Sequence, residues 1–454
     1  MKKLALIQTL LLLGLSLTSS QIIAQTKAVQ QAVTESSDEK ASQEISTLSA
    51  DDWQDEWADD WQETTQLSPW KFSYFVEVAY GKFMQNNIVE SNASLSELRG
   101  RINLDYSHAF FELTAKGDFL YDDVLEQTDF NTRELNIAFS PLKNLDVKLG
   151  RQVLTWGTGD YLFLNDLFKK DWQSFFSGRD DEYLKSASDS IRMTSYWGDF
   201  TVDLAWTPEF TPDNYLTGER FSFYSSLMKT NIAPDENFRV EQTQDSQWSA
   251  RVATSIQGVE YALYGYKGFW TTPLGMNQQG MAYFPKMNAW GASALTPLST
   301  GIFKMEFSAY NSLEDRQGNQ AAIPNSQIRA LIGYEQEVIK NLSVGLQYYL
   351  EKTQHYNAYT QSALFTDEVV DEYRQLATVR LRYTTMQQKL IYSLFAFYSP
   401  TDQDSYLKPA IHYRYNDNYS FSAGANIFSG NQDFTFFGQH QANTNVWLRG
   451  RFSF

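Results

Sequence analysis

The chain has no cysteine, which excludes disulfides, thiol catalysis, Cys-rich metal sites and attachment of a lipid through sulfur. Histidine is nearly as scarce. His108, His355, His412 and His440 are the four present, and they are scattered without ligand spacing, so no metal and no cofactor is expected. Basic side chains are in deficit, 37 Lys and Arg against 54 Asp and Glu, for a net charge of −17. That balance argues against a nucleic-acid partner. Long apolar runs are missing too. Beyond the first residues none approaches the roughly 18 needed for a membrane-spanning helix.

What is present begins with a leader. Lys2 and Lys3 precede the apolar stretch Leu4 to Leu17, and Ser19, Ser20 and Ala24 follow. This is the order of a secretory signal peptide, residues 1–24, with cleavage expected between Ala24 and Gln25. Residues 25–66 are rich in Gln, Ser and Thr, and their eleven carboxylates against Lys27 and Lys40 give −9. Such a composition predicts a disordered periplasmic extension. Near its end Trp53, Trp57 and Trp61 recur every fourth residue, so a short helix would align them as one stripe with carboxylates on its other faces. That stripe suits docking of a periplasmic partner or plugging of a lumen. Lying in the membrane interface is the alternative.

From Trp70 the hydropathy period becomes two. Trp70, Phe72, Tyr74, Val76, Val78 and Tyr80 share one face of the first strand. Leu98, Gly100, Ile102 and Leu104 alternate with Glu97, Arg99, Arg101 and Asn103 in the second. About eighteen such segments can be counted over 67–454, sixteen if a hairpin is miscounted. Their connections alternate between tight turns (Trp197-Gly198-Asp199, Asn416-Asp417-Asn418) and long loops such as 81–94, 120–131, 153–188 and 208–246, with 399–404 the exception. Alternating strands, aromatic content and alternating loop length predict an all-β fold, an antiparallel up-and-down transmembrane barrel of the Gram-negative outer membrane. In hydrocarbon only a closed sheet satisfies every strand's backbone groups. The ending Trp447 to Phe454 resembles the C-terminal signal read by the barrel-assembly machinery, and both termini are expected in the periplasm. Outer-membrane lipid and lipopolysaccharide would be the other contacts.

The most distinctive stretch runs from Gly150-Arg151-Gln152 through Trp156-Gly157 to Phe168. Its GRQ-x-x-x-WG pattern resembles one in alginate-export-type barrels and related proteobacterial outer-membrane barrels. The resemblance implies a barrel fold, a commonly monomeric state and, for some relatives, work with an inner-membrane exporter of the resistance-nodulation-division superfamily. From the residues themselves, Gly157 and Gly159 permit sharp turns, and Tyr161 to Phe168 is too apolar to lie in water. Loop 153–188 is therefore expected to fold into the lumen or over its mouth. It would act as a constriction or gate lined by Arg151, Gln152, Trp156, Asp160, Asp166, Lys169, Lys170 and Asp171, or as a brace against the wall.

The expected inner wall is rich in arginine, including Arg99, Arg101, Arg192, Arg380, Arg382, Arg449 and Arg451. An unpaired ladder would favour anionic solutes. Glu77, Glu97, Asp105, Glu112, Asp118 and Asp203 on the same face would instead neutralise it. No nucleophile stands at fixed spacing from a histidine, so an enzyme is not expected. The function predicted is a channel or export conduit for a small or polymeric solute, with a surface receptor or adhesin as the alternative.

Overall fold

The computed structural model describes residues 68–233 and 239–454. The expected leader, the acidic segment 25–66 and its Trp53, Trp57 and Trp61 lie outside the described residues. Strict alternation of apolar and polar side chains makes strands here, and backbone pairing joins eighteen of them into one sheet. The first six are β1 (Trp70–Phe83), β2 (Ala93–His108), β3 (Phe111–Asp122), β4 (Gln127–Leu142), β5 (Leu145–Val153) and β6 (Ala187–Trp197). Next come β7 (Phe200–Thr207), β8 (Gln247–Ile256), β9 (Val259–Phe269), β10 (Lys286–Leu298), β11 (Gly301–Ser312) and β12 (Gln327–Ile339). The last are β13 (Leu342–Thr353), β14 (Tyr373–Thr385), β15 (Leu390–Ser399), β16 (Asp404–Arg414), β17 (Tyr419–Gly430) and β18 (Asn445–Ser453).

Each strand pairs antiparallel with its neighbours in sequence, and β18 returns to β1 with Phe75 opposite Ser453 and Phe83 opposite Asn445. Tyr74 and Phe454 exchange both backbone hydrogen bonds at 2.9 Å. The sheet is thus a closed barrel without an edge, as the period of two predicts. Closure follows from the solvent: an unpaired strand edge in hydrocarbon would strand a row of N–H and C=O groups.

The two faces differ as expected. Phe72, Val76, Val78 and Tyr80 of β1 point outward, whereas Glu77, Ala79 and Gly81 between them are buried inside. Exposed aromatics gather at both rims. Phe110, Trp197, Phe200 and Tyr415 lie by the short turns, and Tyr80, Phe130, Trp248 and Tyr398 lie toward the long loops, the two girdles of a membrane barrel. The short turns are as small as Ala109–Phe110 and Gly198–Asp199. One connection departs from expectation. The loop predicted over 120–131 shrinks to 123–126, because Leu120 to Asp122 pair with Gln127 to Asp129 and lengthen the hairpin. The turn signal there is weak, and cross-strand pairing of Phe119 with Phe130 extends both strands beyond it.

Candidate functional site

Between β5 and β6 the chain leaves the wall for residues 154–186 and crosses the barrel. The crossing starts at Gly157, whose φ of +93° is a conformation that side chains with a Cβ rarely adopt. Glu306 on β11 then accepts hydrogen bonds from the backbone N–H of Thr158, the Thr158 hydroxyl (2.9 Å), the N–H of Gly159 (2.8 Å) and Asn165 Nδ2 (2.8 Å). Asp160 lies against Lys304 Nζ at 2.9 Å and Arg380 Nη1 at 3.2 Å, and its N–H donates to Gln347 Oε1 at 3.1 Å. Arg380 belongs to β14, nine strands from β5 and so opposite it in a ring of eighteen. The loop therefore reaches across the full lumen to the far wall.

Its apolar middle has its own reason for being inside. Leu164, Phe175 and Phe176 pack with Tyr349, Phe395, Phe397, Tyr406 and Phe428 of the wall. Tyr406 stacks on Phe428 at 4.5 Å, and Phe176 meets the Phe428 ring edge-on at 5.2 Å. A short helix, α1 (Trp172–Ser177), is capped by Asp171, which accepts from Ser174 N–H, and ends at Gly178 with φ of +85°. A Cβ at Gly178 would collide with the Trp447 indole of β18. The Phe176 carbonyl accepts from Asn426 and Asn445 Nδ2 at 2.9 and 3.0 Å, so the helix end is pinned to β17 and β18.

The loop's return arm enters the arginine ladder. Arg101 bonds Asp118 at 2.5 Å and Glu182 at 2.8 Å, and Arg99 bonds Asp118 at 2.8 Å and Glu97 at 3.2 Å. Arg451 pairs with Glu77 at 2.9 Å and Asp180 at 3.2 Å, while Arg449 reaches Asp180 at 3.2 Å. Arg179 binds Glu97, and Arg220, arriving from loop 208–246, binds Asp122. Six guanidinium groups thus meet six carboxylates, three of the twelve from loop 154–186 and one from loop 208–246. Tyr183 sits among them with Arg99, Arg101 and Arg133 at 4.2, 4.9 and 4.9 Å from its ring centre, a cation–π cluster. Burial lifts the Tyr183 phenol well above its usual range, and Arg449 and Arg451 beside Asp180 hold that carboxyl well below its own.

The candidate residues divide on this geometry. Asp160 and Arg380 meet each other across the lumen, and Arg99, Arg101, Arg449 and Arg451 line the wall where Asp180 and Glu182 arrive. Arg382 is half-buried two residues beyond Arg380 on the same face. Arg192 faces inward but is engaged by Asp203 at 2.8 Å. The placement of four others differs from a pore lining. Arg151 stands opposite the outward-facing Leu135 and pairs with exposed Asp189 at 2.7 Å, because the alternation through Gln152 turns Arg151 to the outer face. Gln152 is buried and donates to the Lys148 and Ser190 carbonyls. Trp156 is packed with Leu154 and Phe168 against Tyr264 of the wall. Asp166 is buried within the loop, holding Lys170 Nζ at 2.8 Å and the Thr155 hydroxyl at 2.9 Å.

Glu306, Lys304, Arg179, Asp180, Tyr183 and Arg220 were not singled out from the sequence. Glu306 and Lys304 alternate with Met305 and Phe307 in β11, so the inward face was legible though the partner was not. Asp213 is a further clamp: it accepts from Lys170 N–H at 2.8 Å and from Trp172 Nε1 and the Thr271 hydroxyl at 2.9 Å. Burial pushes its carboxyl up to about 6. His412 Nδ1 lies 2.9 Å from Ser422 Oγ, its cross-strand partner. His440 is buried against Phe176 and Phe428, and burial lowers it to about 3.

No protein-family model matches the chain, and no curated protein sequence matches it. Solved structures do. Acinetobacter baumannii OccAB3 superposes with a TM-score of 0.52 at 11% identity, over 85% of this chain and 99% of that one. OccAB4 of the same organism gives 0.52 at 9% identity, over 86% and 99%. Pseudomonas aeruginosa OccD3 gives 0.51 at 11%, over 85% and 91%. At these identities the likeness is one of fold, a closed eighteen-strand antiparallel barrel.

Proposed function

We propose that the protein is an outer-membrane channel for small solutes, constricted by loop 154–186. The observation that supports this reading most is the span of the loop, from β5 to the Asp160–Arg380 pair on the opposite wall. A barrel of this strand number is too wide for wall side chains to fill, so whatever crosses the lumen sets the passage. The alternative role, a brace, is favoured for one half of the loop: Trp156 and Asp166 serve packing rather than passage. With guanidinium groups matched by carboxylates, the wall supports weak charge selection rather than a strong anion preference.

A finer reading is an export conduit that engages a periplasmic partner. It draws on the Gly150–Phe168 resemblance and on the acidic Trp53/Trp57/Trp61 segment. Single-channel conductance in a planar bilayer tests both levels. We expect a small current from the intact chain and a several-fold larger one when 158–183 is replaced by a short Gly-Ser linker. Equal currents would remove the loop as the constriction. A current that rises on deletion of 25–66 would support the plug and partner reading, and an unchanged current would defeat the plug.

A further inference from the structure

Between the crossing loop and the long loops lies a cavity of about 300 Å³. Its walls include Phe163, Trp270, Tyr310, Tyr349, Phe397 and Phe437. An apolar cavity of about 150 Å³ suffices to hold benzene, so this one has room for one or two fused rings.

Its charged lining residues are Asp166, Lys170, Asp213, Arg329, Glu351 and Arg374, and each cation is paired. Arg329 is paired with Glu351 at 3.1 Å, and Arg374 Nε with Asp402 at 2.5 Å. Lys170 is paired with Asp166 at 2.8 Å. Two donors on lining residues have no acceptor among the described residues: Trp270 Nε1, on a side chain only 5% exposed, and Arg374 Nη2. Buried donors are seldom left unmet in a folded protein, and both residues line this one cavity. With its cations already neutralised, the cavity offers an incoming anion no unmatched charge. A neutral oxygen acceptor meets the requirement without adding one.

We propose that this cavity is a binding site for a neutral one- or two-ring aromatic solute bearing a hydroxyl or carbonyl oxygen, with the rings among the aromatic walls and the oxygen accepting from Trp270 Nε1. The inference deepens the channel reading, resting on it only in making this solute one that passes. Pockets of this kind, mostly apolar with a few convergent polar groups, are the usual form of small-molecule sites.

Isothermal titration of the full chain in detergent, corrected against empty micelles, tests it with 1-naphthol, naphthalene and 1-naphthoate as probes. Saturable binding of one 1-naphthol per chain is expected, about three- to tenfold tighter than naphthalene, the worth of one hydrogen bond. 1-Naphthoate should bind more weakly than 1-naphthol. Trp270→Phe should remove the 1-naphthol advantage and leave naphthalene unchanged. Leu376→Trp, on a lining residue, should abolish binding of both while heat-modifiable gel mobility reports an intact barrel. Absence of saturable 1-naphthol binding, binding untouched by both variants, or preference for 1-naphthoate would each overturn the proposal. Ion conductance of the same preparation separates the two readings: conductance without binding removes the pocket and keeps the channel. Binding without conductance supports the pocket and removes the channel.

Discussion

At Glu306 a single carboxylate on β11 answers two backbone N–H groups, a hydroxyl and an amide of the crossing loop. Burying those donors without an acceptor costs about 1–3 kcal/mol apiece, so Glu306 holds the Thr158–Asn165 part of the loop inside. Glu306→Ala should release the segment around Thr158, raising single-channel conductance and exposing the loop to protease, with the barrel's gel mobility unchanged. Glu306→Gln keeps the shape and should show a smaller effect. Asp213 makes a pH-sensitive counterpart. Its folded pKa, about 6, stands above the ordinary 3.8. The folded site therefore binds the proton more tightly, and its stabilisation is full below about pH 4 and declines as pH rises through 6. The size is roughly 1–3 kcal/mol. The clamp between Lys170, Trp172 and Thr271 should loosen toward neutral pH. The measurement is open probability from pH 4 to 7, expected to rise in the native chain and to stay at its acid value in Asp213→Asn.

At the scale of elements, the return arm of loop 154–186 brings Asp180 and Glu182 to a wall that would otherwise show Arg101, Arg449 and Arg451 with fewer partners. Asp180→Asn with Glu182→Gln should shift the reversal potential in a salt gradient toward anions. An unshifted potential would mean that permeating ions do not pass this wall. Removing one partner of a buried pair is far more damaging than lacking the pair, by about 3–5 kcal/mol. Arg220→Ala, which leaves Asp122 and Glu97 short of a cation, should lower the thermal midpoint of the folded protein. Element legibility followed the pairing physics. Loops between short turns were readable because a tight hairpin needs few residue types. The 123–126 connection was misjudged because Phe119 and Phe130, far apart by turn signal, pair across the strands.

For the whole molecule, the seam between β1 and β18 decides whether there is a barrel at all. Tyr74 and Phe454 hold one end of it by two backbone hydrogen bonds and a ring contact at 5.4 Å. Deleting Phe454 should lower the yield of heat-modifiable, folded protein in refolding into vesicles. A yield equal to the full chain would show that the seam closes without it.

The sequence by itself determined the barrel, a strand number of about eighteen, the outward apolar face and the loop expected to fold inward. Each of these is local: period two is written in adjacent residues, and Tyr161 to Phe168 is too apolar for water wherever it lies. Arg99 and Arg101 were placed inside for the same reason. Glu97 and Asp118, read as neighbours on the same inward face, do pair with them. That Glu182, some eighty residues away, also reaches Arg101, and that Asp180 reaches Arg449, was decided only by tertiary structure. Arg151 shows the limit from the other side. Its position at the start of the crossing loop suggests a lumen residue, yet register with Leu135 and Asp189 turns it outward. Register is a relation between strands, and a shift of one residue exchanges the two faces, so no single strand can state it.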